Sequence, residues 1–238
     1  MSAFAVIPVK RLSESKTRLS PVLRPRERRT LALRMLEDVL NALALSSRVE
    51  IVVVVSPDPA ALSLARSLNA TPLEEEPPGG LNQALNQALR FCESRGAKSA
   101  LIIPADVPLV TPEDVSAILA RDGYSTVVIS PSRREDGTNA MLLSPPTLIS
   151  PAYGSDSFSI HAKAASSAGA ALKVARLPRV ALDVDTPEDL KELIKLGEGT
   201  HTHKYLIESG LADKLAAHPS PADSREEGMK IKSSRPAL

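Results

Sequence analysis

Short β-branched apolar runs alternate along this chain with longer stretches of helical period, and this alternation constrains the fold more than any other feature. The run Phe4 to Val9 precedes helical periodicity from about Glu27 to Leu45, and Ile51 to Val55 precedes a helical pattern from about Pro59 to Leu68. The rhythm continues with a helix over about Leu81 to Glu93, the strand Ala100 to Ile103, a helix opening at Thr111-Pro112-Glu113-Asp114 and the strand Thr126 to Ile129. Units of this kind build a mostly parallel sheet, because each helix carries the chain back to the edge where the next strand starts. Ile51 to Val55 and Leu101 to Ile103 are apolar at successive positions, as expected of strands covered on both faces. The pattern predicts an α/β fold, a three-layer α/β/α sandwich around a mostly parallel sheet.

After Ser130 the rhythm changes. Arg133 to Asn139 is a polar loop, and Ala140 to Leu143 reads as another strand. A Pro- and Ser-rich stretch from Ser144 to Ser159 leads to a helix over about Ser157 to Ala168, the strand Ala171 to Ala175 and a last helix opening at Thr186. With 238 residues, 43% of them apolar, one domain with a sizeable core is expected, here residues 1–196. Residues 197–238 read as a C-terminal extension with one short helix near Tyr205 to Leu215, and the last eighteen or so residues are expected to be disordered.

Charge and cysteine usage narrow the partners. Lys and Arg total 29 against 28 Asp and Glu, so no global field draws the chain to nucleic acid or anionic lipid. Small-molecule partners are expected, with neither nucleic acid nor membrane. The single cysteine, Cys92, falls on the apolar stripe Leu81, Leu85, Leu89, Cys92 and reads as a core thiol. The apolar run from Ala3 to Val9 is too short for a signal-peptide core, and its positive charges follow it. No apolar stretch approaches the roughly 20 residues needed to cross a bilayer. A cytoplasmic location is expected.

Three elements carry chemistry. Directly after the first strand, Lys10, Lys16 and Arg18 share one loop at the carboxyl end of that strand, where ligands bind in open α/β sheets. A nucleoside triphosphate brings about four negative charges, which ammonium and guanidinium groups are suited to hold. Such a loop is also an ordinary solvated connection, and neither a Walker pattern nor G-x-G-x-x-G accompanies it. In Pro104-Ala105-Asp106-Val107-Pro108-Leu109, an apolar strand runs straight into Asp106; alone, that aspartate reads equally as a turn former. In Leu182-Asp183-Val184-Asp185, two carboxylates two residues apart in extended chain project to the same side and repel. A hard divalent cation such as magnesium relieves that repulsion. Thr186, Pro187 and Asp189 have a structural explanation as a helix start with a capping pattern.

Weaker signals surround these. Gly80 and Asn82 open a helix after a Pro pair, so backbone amides and the Asn82 side chain can face a purine or phosphate, or form a flexible turn. Gly137-Thr138-Asn139 and Tyr153-Gly154-Ser155-Asp156-Ser157 offer small hydroxyls and glycines to a phosphate or carboxylate, or are plain loops. His161 falls on a predicted helix and reads as exposed or packed rather than catalytic. His201-Thr202-His203 reads as a solvated tail, a poor metal site with two imidazoles alone.

Taken in this order, the pieces resemble the archaeal 2-phospho-L-lactate guanylyltransferase family of coenzyme F-420 biosynthesis, itself similar to molybdenum-cofactor guanylyltransferases and sugar-nucleotide pyrophosphorylases. The likeness spans Phe4 to about Leu196. It is carried by Ile7-Pro8-Val9-Lys10 with Ser15-Lys16-Thr17-Arg18-Leu19-Ser20, Gly80-Leu81-Asn82, Pro104 to Leu109, Gly137-Thr138-Asn139-Ala140, Tyr153-Gly154 with Ser157-Phe158, and Asp183-Val184-Asp185. The Gly-rich nucleotide loop of the wider group is replaced here by the Lys and Arg loop. The resemblance implies a Rossmann-like sheet of the nucleotide-diphospho-sugar transferase type, transfer of GMP from GTP to a small phosphorylated carboxylic acid, and a homodimer. It implies magnesium held at Asp106, Asp183 and Asp185, GTP near Gly80 and Asn82, and the acid at Thr138, Gly154 and Ser157. Bacterial relatives that use phosphoenolpyruvate resemble the chain too. Lys10, Lys16, Arg18 and Asp106 are then the catalytic groups, acting by positioning and charge neutralisation without a protein nucleophile. The rivals are a nucleotidyltransferase with another acceptor, a glycosyltransferase, and a non-catalytic nucleotide- or RNA-binding module suggested by eight basic residues against two acidic ones between Lys10 and Arg29.

Overall fold

The structure is a computed structural model that describes residues 3–77 and 79–217. Its centre is a seven-stranded sheet in the order β3-β2-β1-β4-β6-β5-β7. The strands are β1 (Ala3–Pro8), β2 (Val49–Ser56), β3 (Thr71–Glu74), β4 (Ser99–Ile102), β5 (Thr126–Pro131), β6 (Thr138–Ser144) and β7 (Ala171–Val174). All pairings are parallel except those of β6, which runs antiparallel to both β4 and β5. Reversal of one strand has a functional consequence: the start of β6 lies at the same sheet edge as the ends of β1 and β4.

Side-chain alternation sorts the core into two layers. Ala5, Ile7, Leu101, Ile103, Ala140 and Leu142 face one side of the sheet, and Phe4, Val6, Ala100, Ile102, Met141 and Leu143 the other. The first face is covered by α1 (Pro25–Ala44), α2 (Pro59–Ser67), α4 (Pro112–Leu119) and α6 (Pro187–Leu196). The second is covered by α3 (Leu81–Ser94) and α5 (Ser157–Ser167), and Cys92 is fully buried there as a core thiol. The three-layer sandwich predicted from the alternation is the observed architecture. Helix starts follow local chemistry: the Thr111 hydroxyl accepts from Asp114 N while the Asp114 carboxylate accepts from Thr111 N, and Thr186 with Asp189 repeats the arrangement at α6.

Two features depart from the sequence reading. Strand β3 is short, holds Pro72 and lacks a continuous apolar run, so no periodicity announces it. The packed fold also continues past Leu196. Two helices, α7 (His201–Glu208) and α8 (Leu211–Ala216), stand where one short helix was expected, and Leu206, Leu211 and Leu215 join the α1 core. Thr202, expected in a solvated tail, is fully buried, and the buried Asp38 carboxylate of α1 accepts from His201 N (2.7 Å), Thr202 N (2.9 Å) and the Thr202 hydroxyl. The residues expected to be disordered at the C-terminus lie outside the described ones.

Candidate active site

The loop after β1 is built on two buried leucines. Leu12 and Leu19 anchor single 3-10 turns, Leu12–Glu14 and Thr17–Leu19, and Leu12 N donates to Asp58 Oδ2 at 3.0 Å. Between the turns, Lys16 adopts a left-handed backbone (φ 53°, ψ 40°), uncommon for a residue with a Cβ, which turns its side chain inward. Its Nζ donates to Asp106 Oδ2 at 2.9 Å and to Asp185 Oδ1 at 2.8 Å, with the side chain 8% exposed. Arg18 stays outside, 75% exposed, with Nη1 at 3.9 Å from Asp185 Oδ2.

The carboxylates are brought together by backbone. Val184 N donates to Asp106 O at 2.9 Å, tying the segment after β4 to the segment before α6. Leu182 and Val184 are buried while Asp183 and Asp185 face the cavity, the alternation expected of extended chain. Asp189, capping α6, also accepts from Asp185 N at 3.1 Å and so fixes the chain at that residue. Asn139 Nδ2, on β6, donates to Val180 O at 3.0 Å and to Asp183 Oδ1 at 3.1 Å. Burial and the repulsion of Asp106 hold the Asp183 carboxyl above its ordinary range, against the Asn139 hydrogen bond. Burial acts upward on Asp185 too, yet the Lys16 ammonium outweighs it and holds that carboxyl below its usual value. For Lys16, burial acts downward and the two aspartates override it, so the ammonium is held more firmly than normal.

The opposite wall is small and polar. Thr138 opens β6, and Ser157 opens α5 with its first-turn amides turned to the loop. Gly154 has φ 147°, a conformation a side chain rarely adopts, and it lets the chain pass close beside the cavity. Behind this wall, His161 is fully buried, with Nδ1 at 3.0 Å from Thr138 Oγ1 and Nε2 accepting from Ala152 N at 2.9 Å. The sequence reading of His161 as packed rather than catalytic agrees with this burial. Burial pushes its imidazole down to about 4.

Lys10, Lys16, Arg18, Asp106, Thr138, Gly154, Ser157, Asp183 and Asp185 all line one cavity of about 500 Å³ at the carboxyl edge of the sheet. Gly80 lines a second cavity of about 510 Å³ that shares Pro8, Val9, Lys10, Glu14 and Leu81 with the first. Asn82 lies outside the lining of both. Its Nδ2 donates to Tyr153 O at 3.1 Å and its Oδ1 accepts from Tyr153 N at 2.8 Å, so its amide braces the Tyr153-Gly154 loop. Asn139 and His161 are the residues whose importance the sequence concealed. Asn139 stood in a quoted motif without a role, and nothing in the helical period around His161 marks what its ring nitrogens touch.

The chain matches the family described as "Guanylyl transferase CofC like" over residues 3–226. It belongs to that family. Among relatives, it is 45% identical to the phosphoenolpyruvate guanylyltransferase of Rubrobacter xylanophilus over 194 residues, covering 81% of this chain and 94% of that one. It is 42% identical to the 2-phospho-L-lactate guanylyltransferase of Methanothermobacter thermautotrophicus over 206 residues, 87% of this chain and 90% of that one. In fold it is similar to a protein from Desulfovibrio desulfuricans G20 named as a nucleotide-diphospho-sugar transferase, with TM-score 0.73 and 18% identity over 90% of this chain and 99% of that one. The family is thus one of nucleotidyltransferases, and the family match runs past Leu196 as the packing of α7 and α8 does.

Asp106, Asp183 and Asp185 fit a divalent cation in one respect and limit it in another. Asp183 carries uncompensated repulsion from Asp106, and the other two carboxylates already hold a cationic nitrogen between them. Among the described residues, however, no three His, Cys, Asp or Glu side chains converge as a ready-made cage. That is the donor set magnesium tolerates and zinc does not: one or two carboxylates, completed by water and substrate phosphates.

Proposed function

We propose that this chain transfers GMP from GTP to a small phosphorylated carboxylic acid, 2-phospho-L-lactate, giving lactyl-2-diphospho-5'-guanosine and pyrophosphate in coenzyme F-420 biosynthesis. The observation that carries the reading is one cavity walled by a cationic loop, a carboxylate pair and a small hydroxyl-and-glycine edge. An oxygen of the acid's phosphate attacks the α-phosphorus of GTP, forming the new P–O bond, and the bond from that phosphorus to the β-phosphate oxygen breaks as pyrophosphate leaves. The attacking phosphate is already largely ionised at neutral pH, so neither a general base nor a protein nucleophile is required. Cys92 fits this, since burial pushes its thiol up to about 12 in the core.

Within this reading Lys10, Lys16 and Arg18 screen the triphosphate, and the Gly80 cavity takes the nucleoside. Thr138, Gly154, Ser157 and the first amides of α5 take the acid, small enough to lie under a helix N-terminus. Asp106, Asp183 and Asp185 would hold magnesium, which supplies charge neutralisation at the phosphates when bound. Asn82 contributes to GTP binding, if at all in this scheme, through the loop it braces rather than by touching the base. A homodimer, a cytoplasmic location, independence of nucleic acid and membrane, and kinship with molybdenum-cofactor guanylyltransferases belong to the same proposal; among the described residues no helix is long and apolar enough to cross a membrane.

Phosphoenolpyruvate is the second reading, favoured by relatives of that name at 41% to 45% identity. Purified protein incubated with GTP, magnesium chloride and each of a panel of phosphorylated acids decides the matter through pyrophosphate release and product mass. Release with 2-phospholactate supports the first reading, release with phosphoenolpyruvate alone supports the second, and release with neither overturns both.

A further inference from the structure

The His161 imidazole sits behind the acid-facing wall, fully buried and bonded on both nitrogens. Its tautomer follows from its partners. Ala152 N–H can only donate, so Nε2 must be the unprotonated nitrogen, and the ring proton resides on Nδ1. Nδ1–H then donates to Thr138 Oγ1, 3.0 Å away. A hydroxyl has one proton; with a lone pair occupied by the imidazole, the Thr138 proton is left to point elsewhere, and Thr138 lines the cavity.

We propose that His161 is a positioning residue for the acid substrate: it forces Thr138 to present its O–H as a donor to an anionic oxygen. The inference rests on the reading of the cavity above, in which Thr138 meets the phosphorylated acid. Phosphate and carboxylate oxygens accept only, so the direction of the Thr138 hydroxyl decides between attraction and lone-pair repulsion. With the opposite tautomer, the threonine would donate back to Nδ1 and turn its lone pairs toward the anion. The ring is held in the productive state from one direction by Ala152 N, whose position depends on the reciprocal pair between Asn82 and the Tyr153 backbone. The edge of the Tyr153 ring packs against the imidazole at a centroid separation of 5.1 Å. A chain of contacts therefore runs from the first turn of α3 through residues 152 and 153 to His161 and ends on the hydroxyl at the mouth of β6.

Two substitutions separate this role from plain packing. An asparagine amide reaches the place of Nδ1 and can still donate to Thr138, whereas a glutamine amide reaches the place of Nε2 and cannot. His161→Asn is expected to keep the Michaelis constant for the acid within about threefold of the original, and His161→Gln to raise it about tenfold, with the constant for GTP unchanged in both. The double variant Thr138→Val with His161→Gln should be no worse for the acid than Thr138→Val alone, because the imidazole acts through the hydroxyl that is gone. Additive losses, or equal losses for acid and GTP, overturn the inference and leave a structural histidine. Nitrogen NMR of the protein labelled at histidine gives a readout independent of turnover: a protonated Nδ1 and bare Nε2 are expected, and the reverse tautomer overturns the proposal. If the original chain turns over no phosphorylated acid, the functional reading fails and the role toward the acid fails with it. If it turns over the acid while His161→Gln behaves normally, the inference alone fails.

Discussion

At Lys16 a backbone conformation, a buried ammonium and two aspartates coincide, so this residue couples the loop after β1 to the carboxylate edge. Replacing Asp183 and Asp185 one at a time should separate their roles. Asp183→Asn removes a repelled carboxylate whose pKa is raised, so the melting temperature should hold or rise while turnover falls by roughly two orders of magnitude, the scale of a lost electrostatic contact. Asp185→Asn removes a partner of Lys16 and should lose both some stability and turnover. Near-normal turnover in both variants would sink the metal assignment. The two substrate subsites can be tested the same way. Thr138→Val and Ser157→Ala should weaken the acid about ten- to a hundredfold, each losing a hydrogen bond to a charged partner of roughly 1.5 to 3 kcal/mol, and leave GTP untouched. Lys16→Ala should do the opposite, and steady-state kinetics showing the reverse split would exchange the subsites. His161 carries a pH prediction of its own. Its imidazole titrates near 4 in the fold against about 6.5 unfolded, so the unfolded chain binds the extra proton between those values. Its contribution to stability is complete above about pH 6.5 and is lost as pH falls toward 4, at a slope of up to about 1.4 kcal/mol per pH unit. Denaturation of the original chain and of His161→Asn across that range should diverge with that slope, and parallel curves would show that the ring titrates normally.

Elements were legible in the sequence where period and burial agree. The runs over β1, β2 and β4 are apolar at successive positions because helices cover both faces, and the alternation of Asp183, Val184 and Asp185 put both carboxylates on one side. The cavity lining was legible because nine expected residues sit where strands end. Three things were not. Strand β3 pairs with β2 through four residues that include a proline, with no hydrophobic signature of its own. The reversed direction of β6, which delivers Thr138 to the edge, leaves no trace in a run of apolar residues. Asn82 was misjudged because an amide at a helix start can face a ligand or a neighbouring loop, and only the fold puts the Tyr153 backbone within reach. Helix α7 shows the same limit from the stability side. Its buried threonine looks like tail chemistry in the sequence, yet Thr202 Oγ1 donates to an Asp38 carboxylate whose pKa burial raises. Thr202→Val keeps the shape and removes that bond while both backbone amides remain. It should cost roughly 1.5 to 3 kcal/mol in chemical denaturation with the catalytic constants unchanged, and a loss well under 0.5 kcal/mol would show the hydroxyl to be idle.

On the scale of the whole molecule, the question is where the cooperative unit ends. The sequence placed the boundary near Leu196, because the residues after it are rich in charge and interrupted by glycine. The structure instead lays α7 and α8 along α1, with Leu206 and Leu215 fully buried and Leu211 nearly so. Removing those three side chains from the core takes away roughly 1.5 to 3 kcal/mol each in apolar burial. It also leaves Asp38, 7% exposed, without the two amides and the hydroxyl that satisfy its carboxylate, and an uncompensated buried charge costs several kcal/mol more. These losses together match or exceed the whole stability of an ordinary domain, about 5 to 15 kcal/mol. A chain ending after residue 196 should therefore fail to show a cooperative thermal transition, even though every residue lining the main cavity is still present. A chain ending after residue 217 keeps all the described elements and should melt within a few degrees of the original. Calorimetry on the two truncations separates the alternatives. If the shorter chain melts cooperatively at the original temperature and binds GTP as before, α7 and α8 are an appendage and the domain ends where the sequence suggested; if only the longer chain folds, the active-site sheet is held by a helix pair some distance from any substrate.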